Sequence, residues 1–388
     1  MLSRLASVAG TRVLSSLLQG VMLLVLTAAL GPVHFGQFAS VLVMCGILSS
    51  AFGFGSGTLA LRLGNGPDVK GSAGSIAALR YPSALVAGAV TFLLGTFVLG
   101  FSHLPLMWAA TLMGLAEAAG LVVEAILFGQ RKTRRAQASM VVRRAATLAA
   151  AVIGYFAYQV YTSIIVASAA LLVLSAFWLI GCVGRPQELR SVVKASLPFW
   201  GADMLSKLQS TDVVLATVVL SPTGAGIFAA ASRITSPLNI LASSMMSVFT
   251  PEMVAASPAD RRRIFSTSRR YMTFACIGII TMGPVFGWAL EWLLGEDYRG
   301  VFWPVVILCI GTGLAALSQS YISYLYAIDK AGLVFRTRAW TIPVSLVSGV
   351  LLAMAFGPVG MAAVLVVSQG LLTLRIKAYL NALSQSDH

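Results

Sequence analysis

The chain has 388 residues, of which 58% are hydrophobic and only 10% charged, and it carries a net charge of +14. Soluble domains hold about 25% charged residues. A water-soluble core of this length cannot hide so much apolar surface, whereas lipid-facing helices need not, so the composition excludes a soluble globular domain and indicates an all-α polytopic membrane protein.

The first stretch, Met1 to Ala29, has the outline of a secretory signal: Arg4 and Arg12 precede an apolar core that ends in Ala28-Ala29. It leads straight into Leu30-Gly31-Pro32-Val33-His34-Phe35-Gly36-Gln37-Phe38-Ala39. That pattern, L-x-P-x-x-x-G-x-F-A, returns at Leu220-Ser221-Pro222-Thr223-Gly224-Ala225-Gly226-Ile227-Phe228-Ala229. The second copy keeps its preceding helix, so residues 8–30 are read as an uncleaved first span.

A helix needs roughly 20 apolar residues to cross the bilayer core. In chain order the apolar runs predict spans at 8–30, 36–62, 81–101, 104–129, 138–158 and 161–183, a polar connection at 184–195, and spans at 196–220, 225–250, 270–294, 301–328, 337–356 and 358–380. Cytoplasmic connections hold Lys and Arg in excess. Of the 27 basic residues, all but Lys207, Arg233 and Arg299 fall on one face under this count, in groups at 4–12, 62–80, 131–144, 185–194, 261–270, 330–338 and 375–377. Twelve spans put both termini in the cytoplasm of a cell-membrane protein. The basic loops account for the net charge through topology and attraction to anionic headgroups, so nucleic acid is not expected as a partner.

Both copies of the motif then lie at outer turns, between spans 1 and 2 and between spans 7 and 8. An even number of spans separates them, which predicts parallel, pseudo-symmetric six-helix bundles around a central cavity. The expected bundles are 1–183 and 196–388, joined by 184–195.

Neither half carries a soluble domain in this reading. No G-x-x-x-x-G-K-[ST] nucleotide loop occurs. The run Gly53-Phe54-Gly55-Ser56-Gly57 sits inside span 2, where it favours close helix packing or a kink. Cys45, Cys182, Cys276 and Cys309 stand singly in apolar runs, as packing residues, with no metal-ligand spacing. His34, His103 and His388 have no acidic constellation nearby. No catalytic residue, metal or cofactor is expected.

Ionisable residues inside spans are costly and face the bundle interior or a wet cavity. Span 7 holds Asp203, Lys207, Gln209 and Asp212. Asp203 and Lys207, at i and i+4, can neutralise each other, and Asp212 matches the depth of Arg233 on span 8. Those pairs are either structural or open during transport. On span 4, Glu117 and Glu124 share a face. Glu124 has Arg143 or Arg144 within reach, while Glu117 has no basic neighbour at its depth in its own half; it either stays protonated or meets Lys207 across a cavity. Arg12 and Arg62 can snorkel to the surface or join a basic cavity lining. Gln19, Asn239, Gln319 and Gln369, with Ser318, Ser320, Tyr321 and Tyr324, offer neutral hydrogen-bonding groups.

The chain resembles the bacterial oligosaccharide flippases, the Wzx-type polysaccharide transporters of the multidrug/oligosaccharidyl-lipid/polysaccharide (MOP) superfamily. The resemblance rests on L-G-P-V-H-F-G-Q-F-A at 30–39, S-L-P-F-W at 196–200 leading to Asp212, G-I-F-A-A-A-S-R-I at 226–234, and Leu325-Tyr326-Ala327 before Asp329-Lys330. It implies two bundles that move an oligosaccharide on a polyprenyl pyrophosphate from the inner to the outer leaflet by alternating access. The prenyl tail would stay among membrane lipids, and a polysaccharide polymerase or glycosyltransferases of the same pathway would be partners. By position, Arg12, Lys207 and Arg233 would meet the pyrophosphate, Gln19 and Gln319 would add hydrogen bonds, and Glu117, Asp203 and Asp212 would couple or gate. The alternatives are a cation-coupled drug or metabolite antiporter of the same superfamily, a membrane-embedded envelope-polysaccharide enzyme, and a non-transporting scaffold.

Overall fold

The computed structural model describes residues 2–61, 69–186, 189–208, 211–328 and 330–386, with the side chains of some helical residues left out. All regular elements among them are helical. They are α1 (Leu2–Phe52), α2 (Ser56–Ala60), α3 (Val69–Leu93), α4 (Leu104–Gly129), α5 (Thr133–Phe156), α6 (Val160–Trp178), α7 (Leu189–Leu208), α8 (Asp212–Val219), α9 (Pro222–Thr235), α10 (Leu238–Ala255), α11 (Pro258–Leu294), α12 (Phe302–Ala327) and α13 (Ala331–Ser386). A π-helical turn at Leu94–Val98 extends α3, and a short 3-10 turn, Glu296–Tyr298, follows α11.

Eight of the described helices are long and apolar enough to cross a membrane. The protein is an all-helical, multi-pass membrane protein. Two of the eight are too long for a single crossing. The apolar stretch of α1, Gly10–Phe52, has 43 residues, about 64 Å as a straight helix, against about 30 Å of bilayer core. Its helical geometry breaks at Gly31, with φ 68° and ψ 170°, a conformation that an L-residue rarely adopts. Pro32 follows at the start of the next helical segment, where its missing N–H is no loss.

In α13 the break is at Gly357, and the chain doubles back there. A Cβ on Gly349 would lie 3.3 Å from Val364, although fifteen residues of straight helix would separate them by about 22 Å. The connection expected at 31–35 therefore shrinks to a single glycine, and the one expected at 357 is that glycine.

Span starts also shift. The helix expected at 81–101 begins at Val69, which moves Arg80 from a helix end to the interior of α3, where it is buried. The polar sequence Lys70-Gly71-Ser72-Ala73-Gly74-Ser75 hides that start from a hydropathy reading, yet it packs well: Gly184 N donates to Lys70 O at 2.7 Å, and a Cβ on Gly74 would strike the Gly184 carbonyl. Likewise α11 starts at Pro258 rather than 270, capped by Ser257, whose hydroxyl accepts from Asp260 N at 3.3 Å.

The chain divides into two compact units, Met1–Leu30 with Gln37–Val214, and Gly31–Gly36 with Leu215–His388. Helix α7, which the sequence reading groups with the second bundle, packs in the first unit against α2 and α3. Each unit is built around one helix that is mostly enclosed. In the first it is α4 and in the second α12; 61% of the best apolar window of each is buried, against 22–33% for the other six candidate spans. A central helix surrounded by its neighbours must be apolar all round, and the shell helices turn their remaining face outward.

Small residues let the helices approach. On α11 and α12 the match is reciprocal: a Cβ on Gly283 would touch Cys309, and one on Gly313 would touch Cys276. In the first unit Gly114 of α4 faces Cys45. Three of the four free, buried cysteines are thus partners of glycines on a neighbouring helix, the packing role expected of them.

The Gly53–Gly57 run does both things expected of it. The helix breaks at 53–55, where Phe54 and Gly55 have positive φ. Helix α7 then comes down onto the opening: a Cβ on Gly55 would sit 2.7 Å from Ser196 O and from Trp200 N. The carbonyls freed by the break are taken up by side chains. Arg80 donates to Ser49 O at 2.9 Å and Trp200 Nε1 to Ala51 O at 2.8 Å. Ser56 Oγ donates to Gly53 O at 2.7 Å. Backbone polar groups at membrane depth need such partners.

Candidate functional site

The densest set of buried charges among the described residues lies between α4 and α5. Glu117 and Glu124 are two helical turns apart on one face of α4, about 10 Å along its axis. Gly120 sits between them. Helix α5 returns antiparallel through a tight turn closed by Lys132 N to Leu127 O at 2.8 Å, with Arg131 at φ 57°, and brings Arg143 and Arg144 to the same level. The missing side chain of Gly120 is the slot in which Arg143 lies: a Cβ there would be 2.6 Å from its Cζ and 2.8 Å from its Cδ.

From that slot Arg143 reaches both acids. Its Nη1 donates to Glu117 Oε2 and to Glu117 O, each at 3.0 Å, and its Nη2 to Glu124 Oε1. Arg144 Nη1 donates to Glu117 Oε1. The side chains of Arg143 and Arg144 are 6% and 11% exposed, those of Glu117 and Glu124 22% and 11%. Two carboxylates and two guanidiniums make the quartet formally neutral, the condition under which charges survive in a membrane interior. The charge of Arg12 on α1 is also felt at Glu124.

This corrects one expectation: Glu117 does have basic partners in its own half. Counting depth along helix axes placed the arginines too near the membrane surface, because it ignored the reach of two long side chains lying along the α4 groove. The sequence signal was the glycine between two glutamates on one helical face, Glu117-x-x-Gly120-x-x-x-Glu124.

A cavity of about 20 Å³ adjoins the quartet, lined by Gly120, Glu124, Ser139, Arg143, Ser175 and Trp178 among others. That is room for one water molecule. The Nε of Arg143 and that of Arg144 are buried without a hydrogen-bond partner among the described residues.

The other sequence-derived residues are spread over both units. Arg12 is exposed on α1 and Gln19 half-buried; Lys207, half-buried, closes α7. Asp212 starts α8 and its Oδ1 accepts from Val213 N at 2.9 Å. These belong to the first unit, whereas Arg233 in the last turn of α9 and Gln319 on α12, both half-buried, belong to the second. Arg62 and the side chain of Asp203 lie outside the described residues.

Several neutral candidates are engaged in packing. Ser318 Oγ donates to Gln369 Oε1 at 3.3 Å, and Tyr324 stacks on Phe265 at 4.4 Å while Tyr321 meets it edge-on at 5.7 Å. His103 is an N-cap: its Nδ1 accepts from Leu106 N at 3.2 Å.

No family model matches the chain, and no curated protein matches it. Solved structures do. A multidrug resistance MATE family transporter of the MOP superfamily, in an inward-facing conformation, superposes with a TM-score of 0.70 at 14% identity, over 98% of this chain and 100% of that one. The lipid II flippase MurJ, in an inward closed conformation, gives 0.71 at 13% identity over 97% and 87%. The MATE multidrug transporter DinF-BH gives 0.65 at 16% identity over 98% and 95%. The chain has the fold of MOP-superfamily transporters.

Proposed function

We propose that the protein is a flippase that moves an oligosaccharide carried on a polyprenyl pyrophosphate from the cytoplasmic to the outer leaflet of the bacterial cell membrane, for cell-surface polysaccharide synthesis. The observation that carries this reading is the fold, which is similar to that of a lipid II flippase over nearly the whole chain, combined with two half-buried cations, Lys207 and Arg233. With Arg12 they would hold the pyrophosphate, and Gln19 and Gln319 would bond to the sugars. Twelve crossings with both termini in the cytoplasm remain our reading of the topology, as do six-helix bundles at 1–183 and 196–388 about a central cavity. A polymerase or glycosyltransferases would supply and consume the cargo, and the chain itself would catalyse no covalent step.

Direction follows from charge. Moving an anion outward through an inside-negative potential is downhill by about 2.3 kcal/mol per charge per 100 mV, so no nucleotide is required. Asp203 and Asp212 are proposed as gating residues, the latter against Arg233, and Glu117 as part of the coupling machinery.

A cation-coupled drug antiporter is an equally strong alternative. The glutamates packed between α4 and α5 and the similarity to MATE multidrug transporters favour it. Gene deletion separates the two: accumulation of lipid-linked oligosaccharide on the cytoplasmic leaflet supports the flippase, while unchanged glycan with new drug sensitivity supports the antiporter. Loss of oligosaccharide synthesis would instead indicate an enzyme.

A further inference from the structure

Glu124 is the quartet member whose surroundings provide a route for a proton. Its Oε1 accepts from Arg143, while Oε2 takes no bond from the described residues. The single-water cavity beside it is lined by Glu124, Ser139, Ser175 and Arg143. The side chain of Arg143 is 6% exposed, and its buried Nε–H has no partner among the described residues. Both serines have spent their protons on their own helices, Ser139 on Ala136 O at 2.9 Å and Ser175 on Leu172 O at 2.6 Å, and both keep a lone pair. Beyond Ser175 stands Tyr81, a half-buried residue whose hydroxyl lies 2.9 Å from Ser175 Oγ.

We infer that this cavity binds one water molecule that links Glu124 to Tyr81 through Ser175, and that Glu124 takes up and releases a proton along this line. A water there accepts from Arg143 Nε and donates to Glu124 Oε2 and to a serine oxygen, three bonds, the usual number for a buried water. For uptake, Tyr81 gains a proton from bulk water as it passes its own to Ser175. Ser175 turns its O–H to the water, and the water gives a proton to Glu124. One O–H bond forms on the carboxyl, and the ion pair with Arg143 becomes a guanidinium beside a neutral acid. The quartet changes from neutral to a net charge of +1.

The elements packed around Glu124 favour it over Glu117 as the titrating group. Helix α5 presents Arg143 and Arg144, but Arg144 bonds Glu117, which therefore holds two guanidiniums where Glu124 holds one. Helix α1 adds the charge of Arg12. Helix α6 offers Ser175 and Trp178, and α2, Ser-Gly-Thr-Leu-Ala, has no charge. Helix α3 offers Tyr81, its Arg80 being turned to Ser49 O. Glu124, Ser139 and Ser175 lie within about 10 Å of the helix ends bearing Arg131, Lys132 and Arg135, so the path opens toward that basic end. The use of this proton in coupling rests on the transport reading; the protonation does not.

The test is infrared spectroscopy on the full chain in lipid nanodiscs after a downward pH jump. The expected result is a carboxylic C=O band that is lost in E124Q and kept in E117Q. It should grow more slowly, by about tenfold or more, in S175A and in Y81F, because each loses a proton carrier. A band that survives in E124Q, or unchanged rates in both S175A and Y81F, would overturn the inference. Should E124Q fail to fold, the two hydroxyl variants still decide. Failure of lipid-linked oligosaccharide transport with the titration intact would overturn the flippase reading alone.

Discussion

Gly36 and Gly226 hold the same place in the two copies of the L-x-P-x-x-x-G-x-F-A motif, and they lie against each other. A Cβ on Gly36 would stand 2.9 Å from Gly226 N, and a Cβ on Gly226 would collide with Pro32 O. The motif therefore builds a backbone-to-backbone contact in the second unit, where segment 31–36 packs on the first turns of α9. Pro222 and the Ser221 cap, whose Oγ accepts from Gly224 N at 3.2 Å, fix the start of that helix. Phe38 and Phe228, two residues beyond each glycine, are fully buried.

Gly226→Ala has no flexible side chain to push aside, only the Pro32 backbone. It is expected to destabilise the protein by about 1–3 kcal/mol, the range for overpacking. Gly278→Ala, where a Cβ meets nothing within 4 Å, should be neutral or slightly stabilising because alanine is the better helix former. Thermal unfolding in lipid nanodiscs compares the two. Equal melting temperatures would show that the turn yields freely.

Arg143→Gln leaves Glu124 buried without its ionic partner. Breaking one side of a buried pair typically costs about 3–5 kcal/mol. The double variant Arg143→Gln with Glu124→Gln should recover much of that loss, since a neutral pair carries no uncompensated charge. A double-mutant cycle on unfolding free energy measures the coupling, and additive effects would argue against the bridge.

Gly120→Ala should mimic part of the Arg143 loss although it removes no charge. The added methyl occupies the slot of the guanidinium, so Arg143 must leave Glu117, Glu124 or both. The infrared signature of the ion pair should change in this variant, whereas Ala119→Gly, beside it on α4, should leave the signature as it is.

The break at 53–55 is held by side chains from two other helices. Trp200→Phe removes the bond to Ala51 O, worth about 1 kcal/mol, and should raise amide exchange around 49–56 while leaving α4 protected. Gly55→Ala should have a larger effect, because its φ of 72° disfavours a Cβ and α7 leaves no room for one. Uniform exchange across the first unit in both variants would show that the break is not a local feature.

Substitution of Lys207 or Arg233 by alanine tests the anion site. Each should slow translocation of a pyrophosphate-linked oligosaccharide in proteoliposomes by about tenfold or more, if each contributes one charge-assisted hydrogen bond of about 1.5–3 kcal/mol. Unchanged transport in either variant removes that residue from the site.

The sequence by itself determined the class of the molecule, because apolar content and the spacing of polar gaps follow directly from what a bilayer tolerates. It also pointed to the motif copies and the glycine-rich break, since proline and glycine act locally on the backbone. What it left undecided was which charges meet. Depth along a helix is a one-dimensional coordinate, and Arg143 and Arg144 reach Glu117 and Glu124 only because α5 lies along the α4 groove and Gly120 leaves that groove open. The same holds for Arg80, whose span began a dozen residues earlier than hydropathy suggested, and for α7, whose contacts lie with the first unit. Rotation about the helix axis, side-chain reach and the neighbour across the groove are set by packing, and only the tertiary structure decides them.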